Sequence, residues 1–422
     1  MILLKPNEEI NYAEINIDEE WNDSNETELI MHTIHAYPAK FPAFIATKAF
    51  DYAVSEGVDI KTVADIFCGC GTVALEAKNH NYDFWGCDIN PVATLIAKTK
   101  SNEYNIEQLN RYYLNIIDEI KGHKLPTDIY DNANERLKYW FTEYSYCELF
   151  KLYSAINDVI NDTKYKEAFK CIFSSMLKAS SKWLTKSIKP QIDPDKKDIN
   201  ILRHFQIQYN KFFKAVKEFN SRDAETVINC HNFLTMENLP TVDLVITSPP
   251  YVTSYEYADL HQLSSLWLGF ADDYRNLRKG SIGSVYNSSD FMLDLKKLNN
   301  TGTNIVKALL GEHRPTAKVK SVARYYSDMQ QAVKKCASML RDKGMVFFVV
   351  GDTEYKGVKI QNSKHLVEAL IENGFQDIKI GKRKISKRIC IPYRDENGKF
   401  SKDKSMRKVY HEEFIISGRI YL

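Results

Sequence analysis

Four consecutive residues, Ser248-Pro249-Pro250-Tyr251, follow the apolar run DLVIT and combine the groups needed to activate a weakly nucleophilic amine. Two prolines fix the backbone and remove two N–H donors, so the Ser248 hydroxyl and the Pro249 carbonyl stand as rigid acceptors. An exocyclic amine of a nucleobase has its lone pair delocalised into the ring. Holding both amine hydrogens on fixed acceptors favours pyramidalisation and frees that lone pair for in-line attack, and orientation supplies much of the remaining acceleration. The Tyr251 ring would stack on the base, which has to leave its helix to reach the site. On this reading the ring does the stacking and the hydroxyl is dispensable. A Ser-Pro-Pro-Tyr string also occurs as a simple extended turn, so its weight depends on what stands beside it.

A second constellation stands upstream. Asp65-Ile66-Phe67-Cys68-Gly69-Cys70-Gly71-Thr72 links the β-branched run KTVADI to an apolar-periodic helix, and Asp88 ends the next such run, FWGCD. Glycines in a strand-to-helix turn let a ligand approach the backbone, and an acid at the end of the neighbouring strand can accept both ribose hydroxyl hydrogens of a nucleoside. Asp65, Phe67, Cys68, Gly69, Cys70, Gly71, Thr72, Asp88 and Ile89 are therefore the expected cofactor-facing residues. The turn is shorter than the dinucleotide GxGxxG and offers no extended pyrophosphate cradle, which favours S-adenosylmethionine over NAD.

The elements that must position these groups form an α/β sheet. KTVADI and FWGCD predict the first two strands, Thr226 to Asn229 a third, Asp243 to Thr247 a fourth and Met345 to Val350 a fifth, apolar as buried parallel strands are. Gln376 to Ile380 and Glu413 to Ile420 predict a closing antiparallel pair. Around this Rossmann-like sheet the sequence divides into an acidic N-terminal segment (1–31), a catalytic domain assembled from 32–101, 224–269 and 321–422, a helical insertion (102–223), and a polar loop insertion (270–320) rich in Gly, Ser and Asn. The helical insertion is a candidate DNA-recognition subdomain, with the 270–320 loop as the alternative. The aromatic group Tyr139, Trp140, Phe141, Tyr144 and Tyr146 has the spacing of a packed helix.

Composition narrows the class without naming it. A formal net charge of +2 gives no global nucleic-acid signature, yet Lys379 to Lys408 holds 12 basic residues and 3 acids, while Glu8 to Glu28 has no basic residue. Lys182, Lys186, Lys189 and Arg203, interleaved with Trp183 and Phe205, and Lys384, Lys387 and Arg388 in KRKISKR, are the candidate DNA contacts, cations for phosphates and rings for stacking. The 8 cysteines contain no CxxC pair and, apart from His32 and His35, the histidines stand isolated, so no metal is expected. Asp352 reads as a turn cap or as a residue lining the site. No signal peptide or apolar span appears, and a cytoplasmic protein is expected.

DIFCGCGT, GCDINP and TSPPY resemble motifs I, II and IV of the S-adenosylmethionine-dependent DNA amino-methyltransferases of restriction–modification systems. The Ser form of motif IV resembles the enzymes that modify cytosine N4. His35-Ala36-Tyr37-Pro38-Ala39-Lys40-Phe41-Pro42 resembles that family's motif X, which implies that Tyr37, Lys40 and Phe41 help hold the methionine end of the cofactor. The resemblance implies double-stranded DNA as substrate and a cognate restriction endonuclease as a possible partner, with no membrane. Motif order here is X, I, IV, whereas many cytosine-N4 enzymes run IV before X and I. The rivals are transfer to adenine N6, which more often carries Asp or Asn in place of Ser248, an RNA guanine-N2 enzyme, and a silent DNA-binding subunit. A carbon-5 enzyme is excluded by chemistry: its nucleophilic cysteine usually follows proline, and no Pro-Cys occurs.

Overall fold

The computed structural model describes residues 1–4, 10–22, 27–122, 124–219, 223–252, 256–284, 286, 290–311, 315–385, 393–395, 400–408 and 412–422. Eight strands make the main sheet: β1 (Ile2–Leu3), β2 (Thr62–Asp65), β3 (Asp83–Asp88), β4 (Thr226–Cys230), β5 (Val242–Thr247), β6 (Leu340–Val350), β7 (Gln376–Lys384) and β8 (Glu412–Arg419). Their spatial order is β1-β7-β8-β6-β5-β2-β3-β4. Pairs β4-β3, β3-β2, β2-β5 and β5-β6 are parallel, and β8 closes the sheet antiparallel to both β6 and β7. Chain order runs outward from β2 to β4 on one side and from β5 to β6 on the other. The switch point therefore lies between β2 and β5, where open α/β sheets bind ligands.

β5 is buried along its whole length, as a central parallel strand must be. Its one interior acid, Asp243, is compensated: Oδ2 accepts the N–H groups of Lys61 and Thr62 at 2.9 and 2.8 Å, and Oδ1 meets Arg341 at 2.6 Å. These bonds clamp the start of β2 to β5, setting the relative height of the two strand ends that carry the chemistry.

The insertion is helical, with helices at Ile106–Gly122, Glu135–Trp140, Glu143–Val159, Thr163–Ser180 and Ile201–Glu218. Side chains of Asn134, Thr142, Asp162 and Asn200 cap four of them. Trp140, Phe141, Phe169, Phe173, Phe205 and Phe212 fill their common core, which is continuous with Leu75, Val92 and Ile96 of the catalytic domain. Of the aromatic group assigned to a packed helix, Trp140, Phe141 and Tyr146 are buried, whereas Tyr139 and Tyr144 are half exposed.

Two expected boundaries are corrected. Residues 1–31 are not a separate acidic segment: β1 pairs with β7, and Tyr12, Ile15 and Trp21 are buried in the sheet's cores. Residues 270–320 are not simply a loop, for they include helices Phe291–Lys297 and Asn300–Leu310, which pack on helix Ala317–Met339 through buried Ile305 and Val306. Asp290 and Asn299 cap these two helices.

Candidate active site

At the end of β2 the chain turns through Gly69 and Gly71, at φ 47° and 73°, into helix Thr72–Asn79. A Cβ on Gly71 would lie 2.6 Å from the Ala97 Cβ, so only glycine lets this helix pack against helix Pro91–Ser101. Tyr37 lies over Gly69, and its ring centroid is 6.2 Å from that of Tyr257 and 5.1 Å from that of His261. Asp88 closes the cradle: Oδ2 accepts the Gly69 N–H at 2.9 Å and Oδ1 the Asn90 N–H at 2.8 Å. Each carboxylate oxygen retains a second acceptor position. Burial pushes the Asp88 carboxyl up to about 6, against the pull of those two N–H groups.

Two buried polar atoms at this cradle have no hydrogen-bond partner among the described residues, Thr72 Oγ1 at the start of the helix and His261 Nε2 beside Tyr37. Together with the glycine turn and the free acceptor positions of Asp88, they fit a nucleoside cofactor with a ribose diol. Phe67, Gly69 and Ile89 keep partly accessible surface, whereas Cys68, Cys70, Gly71 and Thr72 are buried. Of the motif X residues, Tyr37 reaches the cradle, Phe41 packs beneath helix Ala43–Ser55, and Lys40 is engaged in an ion pair with Glu28 at 2.5 Å.

Asp65 faces inward instead of toward the cradle. It accepts the Thr247 hydroxyl at 2.6 Å and the Phe67 N–H at 3.1 Å, and burial pushes its carboxyl up to about 7. The end of β2 is thereby bonded to the residue immediately before the tetrapeptide. Ser248 donates its hydroxyl hydrogen to the Val349 carbonyl on β6 at 3.0 Å, which leaves its oxygen lone pairs as acceptors. The Tyr251 hydroxyl donates to Glu413 Oε1 at 2.8 Å, and Arg383 holds Glu413 Oε2 through Nε and Nη2 at 3.0 and 2.8 Å. Burial and the Glu413 carboxylate push the Tyr251 phenol well above its ordinary value, so it remains a donor. A Cβ on Gly351 would approach the Tyr251 ring to 3.2 Å, so glycine at the end of β6 leaves room for the ring. The Tyr251 hydroxyl is thus engaged, contrary to the expectation that it is dispensable.

Sequence reasoning did not single out Glu413, Arg383, Tyr257, His261 or Gln262. Glu413 and Arg383 are register partners across β8 and β7. Each of these strands, QDIKIGKRK and EEFIISGR, carries several charges, and only the pairing shows that these two meet.

The expected DNA contacts divide. Lys186, Lys189, Arg203 and Lys384 are exposed and Lys182 is half-buried, as cations that meet phosphate should be. Lys387 and Arg388 lie outside the described residues. Trp183 and Phe205 are 2% and 0% exposed, so the stacking role expected of them is corrected to a core role. Asp352, expected either to cap a turn or to line the site, accepts the N–H and hydroxyl of Ser363 and so ties the end of β6 to the start of helix Asn362–Glu372. No helix among the described residues is long and apolar enough to cross a membrane.

Comparison with known proteins bears on the same region. A curated relative, the Type II methyltransferase M.MvaI of Kocuria varians, is 23% identical over 377 residues, covering 80% of this chain and 82% of the relative. A second, the Type II methyltransferase M.BsoBI of Geobacillus stearothermophilus, is 26% identical over 278 residues, covering 58% and 54% respectively. Among solved structures, an rRNA methyltransferase of Streptomyces viridochromogenes aligns at 9% identity and TM-score 0.28, covering 93% of this chain and 90% of its own. The model of the D12 class N6 adenine-specific DNA methyltransferase family matches residues 47–273, more than half of the chain, taking in the cradle, the insertion and the tetrapeptide. The chain belongs to that family of DNA methyltransferases, whose methyl donor is S-adenosylmethionine.

Proposed function

We propose that this protein methylates the N4 amine of a cytosine flipped out of double-stranded DNA, as the modification half of a restriction–modification or phage-defence system. The observation that carries the reading is the hydrogen-bonding state of Ser248. Its hydroxyl reaches the Val349 carbonyl, and with the hydrogen directed there the oxygen faces an incoming amine as an acceptor beside the Tyr251 phenol. Pro249 is buried and Pro250 half-buried behind it, and the Thr247–Asp65 bond fixes the strand end that carries them. The acceptors need no reorganisation when the amine arrives, which is what lets them favour its reactive geometry.

S-adenosylmethionine, when bound, supplies a methyl group activated by a sulfonium leaving group. Asp88 would accept its ribose hydroxyls, Gly69 and Gly71 would let it lie against the backbone, and Tyr37 with His261 would wall the side of the cradle. Cytosine is favoured by Ser248, since the Ser form of the tetrapeptide resembles the cytosine-N4 enzymes. Adenine N6 is the second reading, favoured by the description of the matching family. The matching family supports DNA as the substrate, and a cognate endonuclease is the partner this reading implies.

Incubating unmethylated genomic DNA with the enzyme and labelled S-adenosylmethionine, then analysing the nucleosides by mass spectrometry, distinguishes the two. N4-methylcytosine is the expected product. N6-methyladenine would establish the second reading, and the absence of label from every deoxynucleoside would overturn both.

A further inference from the structure

Arg136 occupies a position at the cleft that the reaction just described does not use. It lies in helix Glu135–Trp140 of the insertion, and its guanidinium carbon is 4.7 Å from the ring centroid of Tyr139, 5.3 Å from Trp140 and 5.7 Å from Tyr274. Its Nε donates to Gln262 Oε1 at 2.7 Å, an oxygen that also accepts the Trp140 indole N–H at 2.9 Å. The plane of the guanidinium is therefore held on one edge and stacked among three rings. Gln262 is fully buried at the start of helix Gln262–Trp267, and its neighbour His261 packs on Tyr37 above Gly69. Arg136 thus stands where the insertion meets the mouth of the cofactor cradle. On the same side, the Lys182 N–H donates to the Trp140 carbonyl at 2.7 Å, bringing Lys182 to the base of this cluster.

What the guanidinium lacks is an anion. Arg275, Arg278, Arg324, Arg341 and Arg383 each meet a carboxylate, whereas Arg136 meets none among the described residues. Its two terminal nitrogens make no hydrogen bond there, and the half-exposed Tyr139 ring lies beside them. A guanidinium with its plane already fixed loses little freedom on binding, and its paired Nη groups match the spacing of two phosphate oxygens. Surrounding rings lower the local dielectric and strengthen that attraction.

We infer that Arg136 is a phosphate ligand, gripping the DNA backbone next to the extruded nucleotide while Tyr139 packs along the adjacent sugar and base. The inference rests on the reading of this protein as a DNA methyltransferase acting on a flipped base. A phosphate contact carries no sequence information, so it strengthens binding to every duplex alike.

The test compares wild type, Arg136→Ala and Arg136→Lys in fluorescence anisotropy on labelled duplexes of differing sequence, each titrated across a range of salt concentrations. Arg136→Ala should weaken binding on all duplexes and lower the slope of log K against log salt by about one, the value of one lost phosphate contact. Arg136→Lys should restore the slope, because the charge returns, while recovering only part of the affinity, because the fork does not. S-adenosylhomocysteine affinity, measured by calorimetry, should be unchanged in both variants, which establishes that the fold and the cradle are intact. An unchanged slope for Arg136→Ala on DNA that the wild type methylates overturns the assignment. A loss confined to one base sequence also overturns it, since Arg136 would then read a base edge. A wild-type protein that methylates no DNA instead overturns the function on which the inference rests.

Discussion

Replacing Tyr251 by Phe separates two ways in which a ring can serve a flipped base. If the ring acts through its face alone, Phe is equivalent. The Tyr251 hydroxyl, however, donates to Glu413, and Arg383 secures that carboxylate from its other side. Removing the hydroxyl deletes one hydrogen bond to a charged group, worth about 1.5–3 kcal/mol. The lower end applies, because Glu413 keeps both contacts from Arg383 and no charge is stranded. About 1.5 kcal/mol corresponds to roughly a tenfold loss, expressed as a ring that samples orientations unsuited to stacking. Glu413→Gln should behave differently: it preserves an acceptor for Tyr251 but leaves Arg383, 3% exposed, without its carboxylate, at a stability cost of about 3–5 kcal/mol. Single-turnover methylation of a duplex carrying a fluorescent base analogue at the target reports capture and transfer separately, and a thermal melt reports stability. Tyr251→Phe should slow transfer about tenfold with little change in melting, and Glu413→Gln should mainly lower the melting temperature. Wild-type capture and transfer in Tyr251→Phe would show that the hydroxyl does not position the ring.

Ser248→Ala should retain cofactor binding and lower the chemical rate about 10²–10³-fold, the usual cost of one preorganised hydrogen-bonding group, and wild-type rates in a single-turnover assay would reduce the tetrapeptide to a turn. Cofactor affinity should fall with acidity: the Asp88 carboxyl, pushed up to about 6 by burial, offers both oxygens to the two ribose hydroxyls only when ionised, so binding is full above that value and weakens below it by up to about tenfold per unit. Calorimetry from about pH 5 to pH 8 should show that break, and Asp88→Asn should abolish it. A break that persists in Asp88→Asn would move the effect to another group. Replacing Lys182, Lys186 and Lys189 together should flatten the salt dependence of DNA binding by up to about three units of slope, and an unaltered slope would leave them as surface charges.

The parts of this molecule legible in sequence are those whose neighbours are close in sequence or whose burial is complete. β5 and the core of β6 announce themselves because parallel strands covered on both faces exclude polar residues, and the glycine turn because positive φ leaves few alternatives. Residues 270–320 were harder to read because their helices are short, capped by Asp290 and Asn299, and apolar on narrow stripes such as Ile305 and Val306. Counting polar residues conceals such a stripe. Glu413 and Arg383 are 30 residues apart and meet only through the β7-β8 register, which a one-residue slip would destroy. The cations of the insertion looked like a stacking surface until Trp183 and Phe205 proved to be its core, since alternation of charge and ring along a chain does not say which of them faces water.

The tetrapeptide is held by bonds from strands that are neighbours in space and distant in sequence. Asp65 at the end of β2 bonds Thr247, Val349 of β6 receives Ser248, and Glu413 of β8 receives Tyr251. Because β2, β5, β6 and β8 lie side by side in the sheet, each bond spans a single step or crosses one strand. None of them depends on which strand the chain enters first. A motif order of X, I, IV therefore builds the same acceptor geometry as an order that begins with IV, provided the sheet order is kept. Permutation changes which loops are long, and here the long connection falls between β3 and β4, where it becomes the helical insertion that carries Arg136 and Lys182. The adjacency of strand ends sets the acceptor geometry, and the freedom left by chain order falls on the insertion proposed to meet DNA.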